Sequence, residues 1–290
     1  MVQRFQARAG EVGGIPIARN LPTRGRRQIG AWCFLDHIGP VKFADSDPGL
    51  RVGPHPHIGL QTFTWMIEGE LLHRDSLGSA QPIRPGEVNL MTAGRGISHT
   101  EESLFGDRRL HGAQLWIALP EKQRNTNPRF DHYSALPHWQ DQGATWTLLT
   151  GQYGDQKAET LQFSPLVGLD IHCEQQQTLK LQLDLAFEYG VMPLTGNCEI
   201  GGENFEADEL AYLAANQDAI HIDCAPDTRI LVIGGEPLER DVVMWWNYVG
   251  YNQQEIVQAE RDWEAHSDRF GTIPQWQGER LEGPPSPWRR

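Results

Sequence analysis

The segment 53–102, GPHPHIGLQTFTWMIEGELLHRDSLGSAQPIRPGEVNLMTAGRGISHTEE, decides how the whole chain is read. It holds two short clusters of metal-type ligands, His55-x-His57 and His99-x-Glu101, separated by apolar runs and by glycine and proline turns. In a β-strand, residues i and i+2 project from the same face. His55 and His57 therefore point together, and so do His99 and Glu101. If the two strands face each other inside a barrel, three imidazoles and one carboxylate converge on one ion. Parity selects Glu101 over Glu102, which falls on the opposite face. The glycines of Ala93-Gly94-Arg95-Gly96 permit a tight turn just before His99.

Outward from this segment the pattern stays that of short strands. Thr62–Ile67 is rich in β-branched and aromatic residues and ends at the turn Glu68-Gly69-Glu70. Val88–Met91 and His111–Leu119 read as further strands, and their spacing predicts a sandwich or barrel. Residues 120–137, with Asn125, Asn127, Pro128 and Pro137, read as a linker. A second strand-rich block runs from about Trp146 to Val249. There Trp146–Thr150, Leu179–Leu185 and Ile220–Cys224 largely alternate apolar with polar residues. The expected fold class is all-β, with a metal-binding barrel in 1–135 and a second barrel in 136–290.

One helix is expected, with Asn252 as N-cap, Glu255 completing a capping box, and Ile256, Ala259 and Trp263 on one face. It should pack on a barrel. The proline- and glycine-rich tail beyond Phe270 reads as an extended arm, partly disordered. Near the other end, Arg24, Arg26 and Arg27 read as a solvated basic loop.

Bulk composition narrows the function classes. The formal net charge is −13, with 38 acidic against 25 basic residues, which argues against nonspecific binding to nucleic acid or to an anionic membrane. No run approaches the roughly 20 apolar residues of a membrane-spanning helix. The N-terminus lacks the apolar core of a signal peptide, and Cys33, Cys173, Cys198 and Cys224 form no C-x-x-C pair. Free thiols in a cytoplasmic protein are the expectation.

Imidazole with one carboxylate suits iron, manganese, nickel, copper or zinc, and the absence of cysteine from the cluster removes the usual closed zinc pattern. Three histidines and one glutamate in an octahedral arrangement leave two positions open, close to the sites of non-haem iron oxygenases. Iron is the favoured ion.

Other residues read more plainly. If parity carries on past His57, Gln61, Phe63 and Trp65 share the metal side, with Gln61 able to orient a ligand or a water and the two aromatics packing the core or, alternatively, lining the pocket; a bulge at Gly59 would reverse that. The run His73-Arg74-Asp75 reads as a surface turn, because consecutive strand residues alternate faces. His172 and His221, in the second block, read as structural or surface residues.

Six pieces of the chain resemble the pirin family: FLDHIGP at 34–40, PHPH at 54–57, LHRDSLG at 72–78, MTAGRGISHTE at 91–101, QLW at 114–116 and WWNY at 245–248. The resemblance spans nearly the whole length. It implies a bicupin, two face-to-face antiparallel barrels of jelly-roll type, with iron in the first and none in the second. By resemblance the ligands fall on His55, His57, His99 and Glu101, the same four that parity selects. One departure is His57-Ile-Gly-Leu-Gln61, where many pirins carry H-R-G-F-E; it alters charge near the site and bears on substrate preference.

The resemblance implies two functions. Some pirins open flavonols such as quercetin with dioxygen, releasing a depside and carbon monoxide, and there Glu101 would be the catalytic proton acceptor. Others are iron-dependent partners of transcription factors or metabolic enzymes.

Overall fold

The computed structural model describes residues 2–104 and 108–289. Among them the architecture is all-β, with one helix near the C-terminus. The chain divides into two units, and both are built alike: a seven-stranded sheet paired with a four-stranded one. This matches the two-barrel expectation. The division along the chain differs from the expected cut at 135/136. One unit comprises Met1–Ala9, Ala18–His37 and Ala135–Leu238; the other comprises Gly10–Ile17, Ile38–Ser134 and Glu239–Arg290. Each end of the chain thus belongs to the barrel formed by the opposite half. The cause is strand pairing: Val2–Gln6 hydrogen-bonds antiparallel to Glu209–Leu213, with Val2 opposite Leu213.

In the unit that holds the ligand motifs, the four-stranded sheet runs Arg51–His57, Ile97–Leu104, Glu70–Asp75, Ala80–Ile83. The seven-stranded sheet begins Arg129–Tyr133, Val88–Thr92, Leu60–Glu68, Arg109–Ala118. Residues 129–133 lie within the stretch read as a linker. They form a strand through pairing with Val88–Thr92, Phe130 opposite Met91. An apolar cluster in this barrel includes Ile38, Leu50, Met66, Leu71, Ile83 and Leu110.

The other unit is filled from both sheets by Trp146, Leu148, Leu169, Leu179, Leu181, Val191, Ile222 and Val232, together with Cys173, Cys198 and Cys224. Burial alternates along Gln177–Gln182 and Ala219–Cys224, as the sequence indicated. His221 is exposed between buried Ile220 and Ile222. All four cysteines are buried thiols, none in a disulfide among the described residues. Arg26 is less solvated than expected: its guanidinium stacks 3.6 Å over Tyr212 and lies 3.6 Å from the Glu188 carboxylate.

The helix Gln253–Glu264 forms where the capping signal placed it. Asn252 accepts from the Glu255 backbone N–H at 3.0 Å, and the Glu255 carboxylate returns to the Tyr251 N–H at 2.8 Å. Ile256, Ala259 and Trp263 pack against Ile58, Tyr248 and Phe270, so the helix lies on the ligand-bearing barrel. The tail beyond Phe270 is strapped down by specific bonds. Leu281 N–H donates to the Pro54 carbonyl, and the buried Glu260 carboxylate accepts from both the N–H and the hydroxyl of Ser286. Among the described residues no helix is long and apolar enough to cross a membrane.

Candidate metal centre

The two ligand strands pair antiparallel with His99 directly opposite His55 and Ile97 opposite His57. Side chains in register share a face, so the three imidazoles meet. Their candidate ligand nitrogens all lie within 4.8 Å of one another, the rings are buried, and the Nε2 atoms of His57 and His99 approach to 3.1 Å. Glu101 follows on the same face of its strand but stands outside this group; it pairs with Val52 and His73. The register slips between His99 and Glu101, where the partner strand places two residues, Gly53 and Pro54, against Thr100 alone. Glu102 points away, its carboxylate held by Arg74.

The outer nitrogens of the rings are tied to acceptors. His55 Nδ1 lies 2.8 Å from the Gly53 carbonyl, and His57 Nδ1 lies 3.1 Å from the Asn247 carbonyl. A carbonyl only accepts, so each neutral ring carries its hydrogen on Nδ1 and keeps the Nε2 lone pair for the pocket. Asn247 reaches His57 because Trp245 and Tyr248 pair across a two-residue turn, in which Trp246 takes the left-handed conformation (φ 50°). The WWNY motif therefore supplies an orienting carbonyl from 190 residues away.

Electrostatics agree with a cation site. Burial lowers the pKa of His55 to about 4, against the bond to Gly53, which raises it, and with His73 nearby lowering it further. Burial, reinforced by the neighbouring imidazoles, holds His57 and His99 well below the usual histidine value. All three are neutral donors at pH 7. Removal from water pushes the Glu101 carboxyl the other way, up to about 7. Neutral imidazoles with converging lone pairs, plus a carboxyl on the same face whose charged form lacks a partner, suit a divalent transition metal.

The opposite wall follows from register. Phe130, Met91, Thr62 and Trp116 form one row across four strands. Trp116 touches His57 edge-on at 5.1 Å, and Phe130 stacks on His73 at 4.3 Å and 14°. Thr62 thus shares the metal side, and Gln61, Phe63 and Trp65 face away. Parity reverses at Gly59, whose φ of +69° breaks the strand between His57 and Leu60. Gln61 instead donates to Thr92 at 3.0 Å.

His73 and Asp75 correct the surface-turn reading. They are buried, and His73 Nε2 lies 3.1 Å from Asp75 Oδ2, while His73 Nδ1 lies 3.3 Å from His99 Nδ1. The signal was present: His73-x-Asp75 is an i, i+2 pair like the other two, and Arg74 between them is the residue that faces out. Burial alone would raise the Asp75 pKa, but hydrogen bonds from His73 and Ser79 bring it below the usual carboxylate value.

Comparison with known proteins places this geometry. The pirin family model matches residues 14–117, and the pirin C-terminal cupin domain model matches 168–271. A Pseudomonas aeruginosa protein named "Putative quercetin 2,3-dioxygenase PA1205" is 54% identical over 290 residues, covering 100% of this chain and 92% of its own length. A pirin-like protein of Caulobacter vibrioides is 34% identical over 270 residues, covering 90% of this chain and 92% of its own. The crystal structure of a quercetin 2,3-dioxygenase from Acinetobacter baumannii superposes with a TM-score of 0.96 at 47% identity, over 100% of this chain and 97% of the other. The chain is a bicupin and belongs to the pirin family.

Proposed function

We propose that this protein is an iron-dependent dioxygenase that opens flavonols of the quercetin type, with His55, His57, His99 and Glu101 holding the ion. The observation that carries the reading is the trio of buried, neutral imidazoles with their Nε2 atoms turned to one point. The names of the two similar dioxygenases support the substrate class. Bound iron would supply a Lewis acid for the flavonol oxygen and a path for electrons to dioxygen.

The chain's own residues do the rest. Glu101, with a carboxyl pKa near neutrality, is matched to accept the proton of the flavonol 3-hydroxyl. Trp116, Met91 and Phe130 line the facing wall with apolar and aromatic surface that suits a flat substrate and limits water. The backbone carbonyls of Gly53 and Asn247 hold two of the rings in one orientation.

Oxygen uptake and carbon monoxide release on adding quercetin to iron-reconstituted protein test the proposal, with His99→Ala as control. Turnover that disappears in the variant is the expected result. Iron-loaded protein without turnover would move the reading to a regulator that binds a protein partner.

A further inference from the structure

We propose that Asp75 and His73 form a positioning relay that fixes the tautomer of His99, so that its Nε2 is a lone pair facing the ion; the proposal rests on His99 being a ligand. The chain of reasoning starts at Asp75. Its Oδ1 accepts two backbone N–H groups, from Leu77 at 2.9 Å and Ser79 at 3.0 Å. That leaves Oδ2 for His73 Nε2 at 3.1 Å, and a carboxylate oxygen accepts, so His73 donates from Nε2. A neutral His73 then has its lone pair on Nδ1, which faces His99 Nδ1 at 3.3 Å. His99 must donate from Nδ1, and its Nε2, 3.1 Å from His57 Nε2, is left as an acceptor.

The relay does for His99 what backbone carbonyls do for the other two rings. Phe130 stacked on His73 fixes the plane of the middle ring. Register sets the spacing, since His99 pairs with Asp75 and Glu101 with His73 across the same two strands. Both nitrogens of His73 and both oxygens of Asp75 are engaged with neighbours, so their part is orientation rather than ligation. Outer hydrogen bonds of this kind typically contribute 10- to 100-fold in metal affinity.

Asp75→Asn tests the direction of the chain at constant shape. The two backbone donors keep an oxygen at the Oδ1 position, so the amide nitrogen must face His73 and donate to it. His73 then carries its hydrogen on Nδ1, and His99 is forced to place its own on Nε2, into the ion site. The expected result is Fe(II) affinity roughly 10- to 100-fold weaker in anaerobic titration. In the metal-free variant, imidazole 15N shifts should move His99 from the Nδ1–H to the Nε2–H form. His73→Phe, which keeps a ring on Phe130 but accepts nothing, should weaken binding similarly.

Wild-type binding of Fe(II) by Asp75→Asn, or an Nε2–H His99 in the metal-free wild-type protein, would overturn the relay. If the wild-type protein binds no Fe(II), the metal-site reading fails instead, and the tautomer measurement still judges the relay.

Discussion

At the scale of single residues the centre is a set of groups whose charge is decided by burial. The three imidazoles have pKa values below the usual histidine value of 6.5, so the folded state resists protonation that the unfolded chain accepts. Their contribution to stability is present above pH 6.5 and is lost as pH falls through each folded value, which for His55 is about 4. For His55 alone that is on the order of 3 kcal/mol. Glu101 has the opposite sign. Its folded pKa of about 7 exceeds the usual 4.5, so its contribution is present below 4.5 and lost as pH rises through 7. Glu101→Gln should therefore stabilise the metal-free protein at pH 7.5, by about 1–3 kcal/mol in denaturant titration, while weakening its hold on metal. Calorimetry of metal binding at pH 6, in buffers of different ionisation enthalpy, should show close to one proton released by the wild-type protein and almost none by Glu101→Gln. Equal release from both would remove Glu101 from the ligand set.

At the scale of elements, the centre depends on two turns that set direction. Gly59 ends the first ligand strand in the left-handed conformation, and a Cβ there would collide with the carbonyl oxygen of Val249. Ile58 bridges Tyr248 next to this point, and Val249 N–H donates to the Ile58 carbonyl. Gly59→Ala should cost about 1–2 kcal/mol in backbone strain before any clash is counted. Because it pushes on the strand that follows Asn247, it should also weaken metal binding; thermal melts with and without metal would separate the two effects. The helix supports the same hairpin through Tyr248 and Ile256. Asn252→Ala should lower stability by about 1 kcal/mol, read as a shift of the denaturation midpoint without a change of slope.

At the scale of the molecule, each unit is assembled from segments far apart in the chain. The unit with the candidate metal centre draws its proposed ligands from 55–57 and 99–101 and its supports from 73–75, 130 and 247. Metal should therefore stabilise it as a whole. With free metal at about 100 times Kd, the gain is about 2.7 kcal/mol and is reversed by a chelator. Amide exchange should slow on metal binding in the ligand strands and equally in residues 243–250. Slowing confined to the ligand strands would show that the hairpin is not energetically tied to the site.

What the sequence determined by itself was whatever depends on neighbours along the chain. Strand parity placed His55 with His57 and turned Glu102 away, alternation revealed the strands of the second barrel, and the Asn252–Glu255 pair marked the helix start. The same local rule, applied to His73 and Asp75, would have found the relay. Only tertiary structure decided the rest. Along Leu60–Glu68 both faces are buried from Leu60 to Met66, so no polar alternation records which side meets the metal; the break at Gly59 settles it. Nothing local marks Phe130 as the partner of His73, or the Asn247 carbonyl as that of His57, because those contacts come from the pairing of distant strands. For the same reason the two ends of the chain join opposite barrels. Edge strands take the partner that best buries their apolar face and satisfies their backbone groups, and that choice is made in three dimensions.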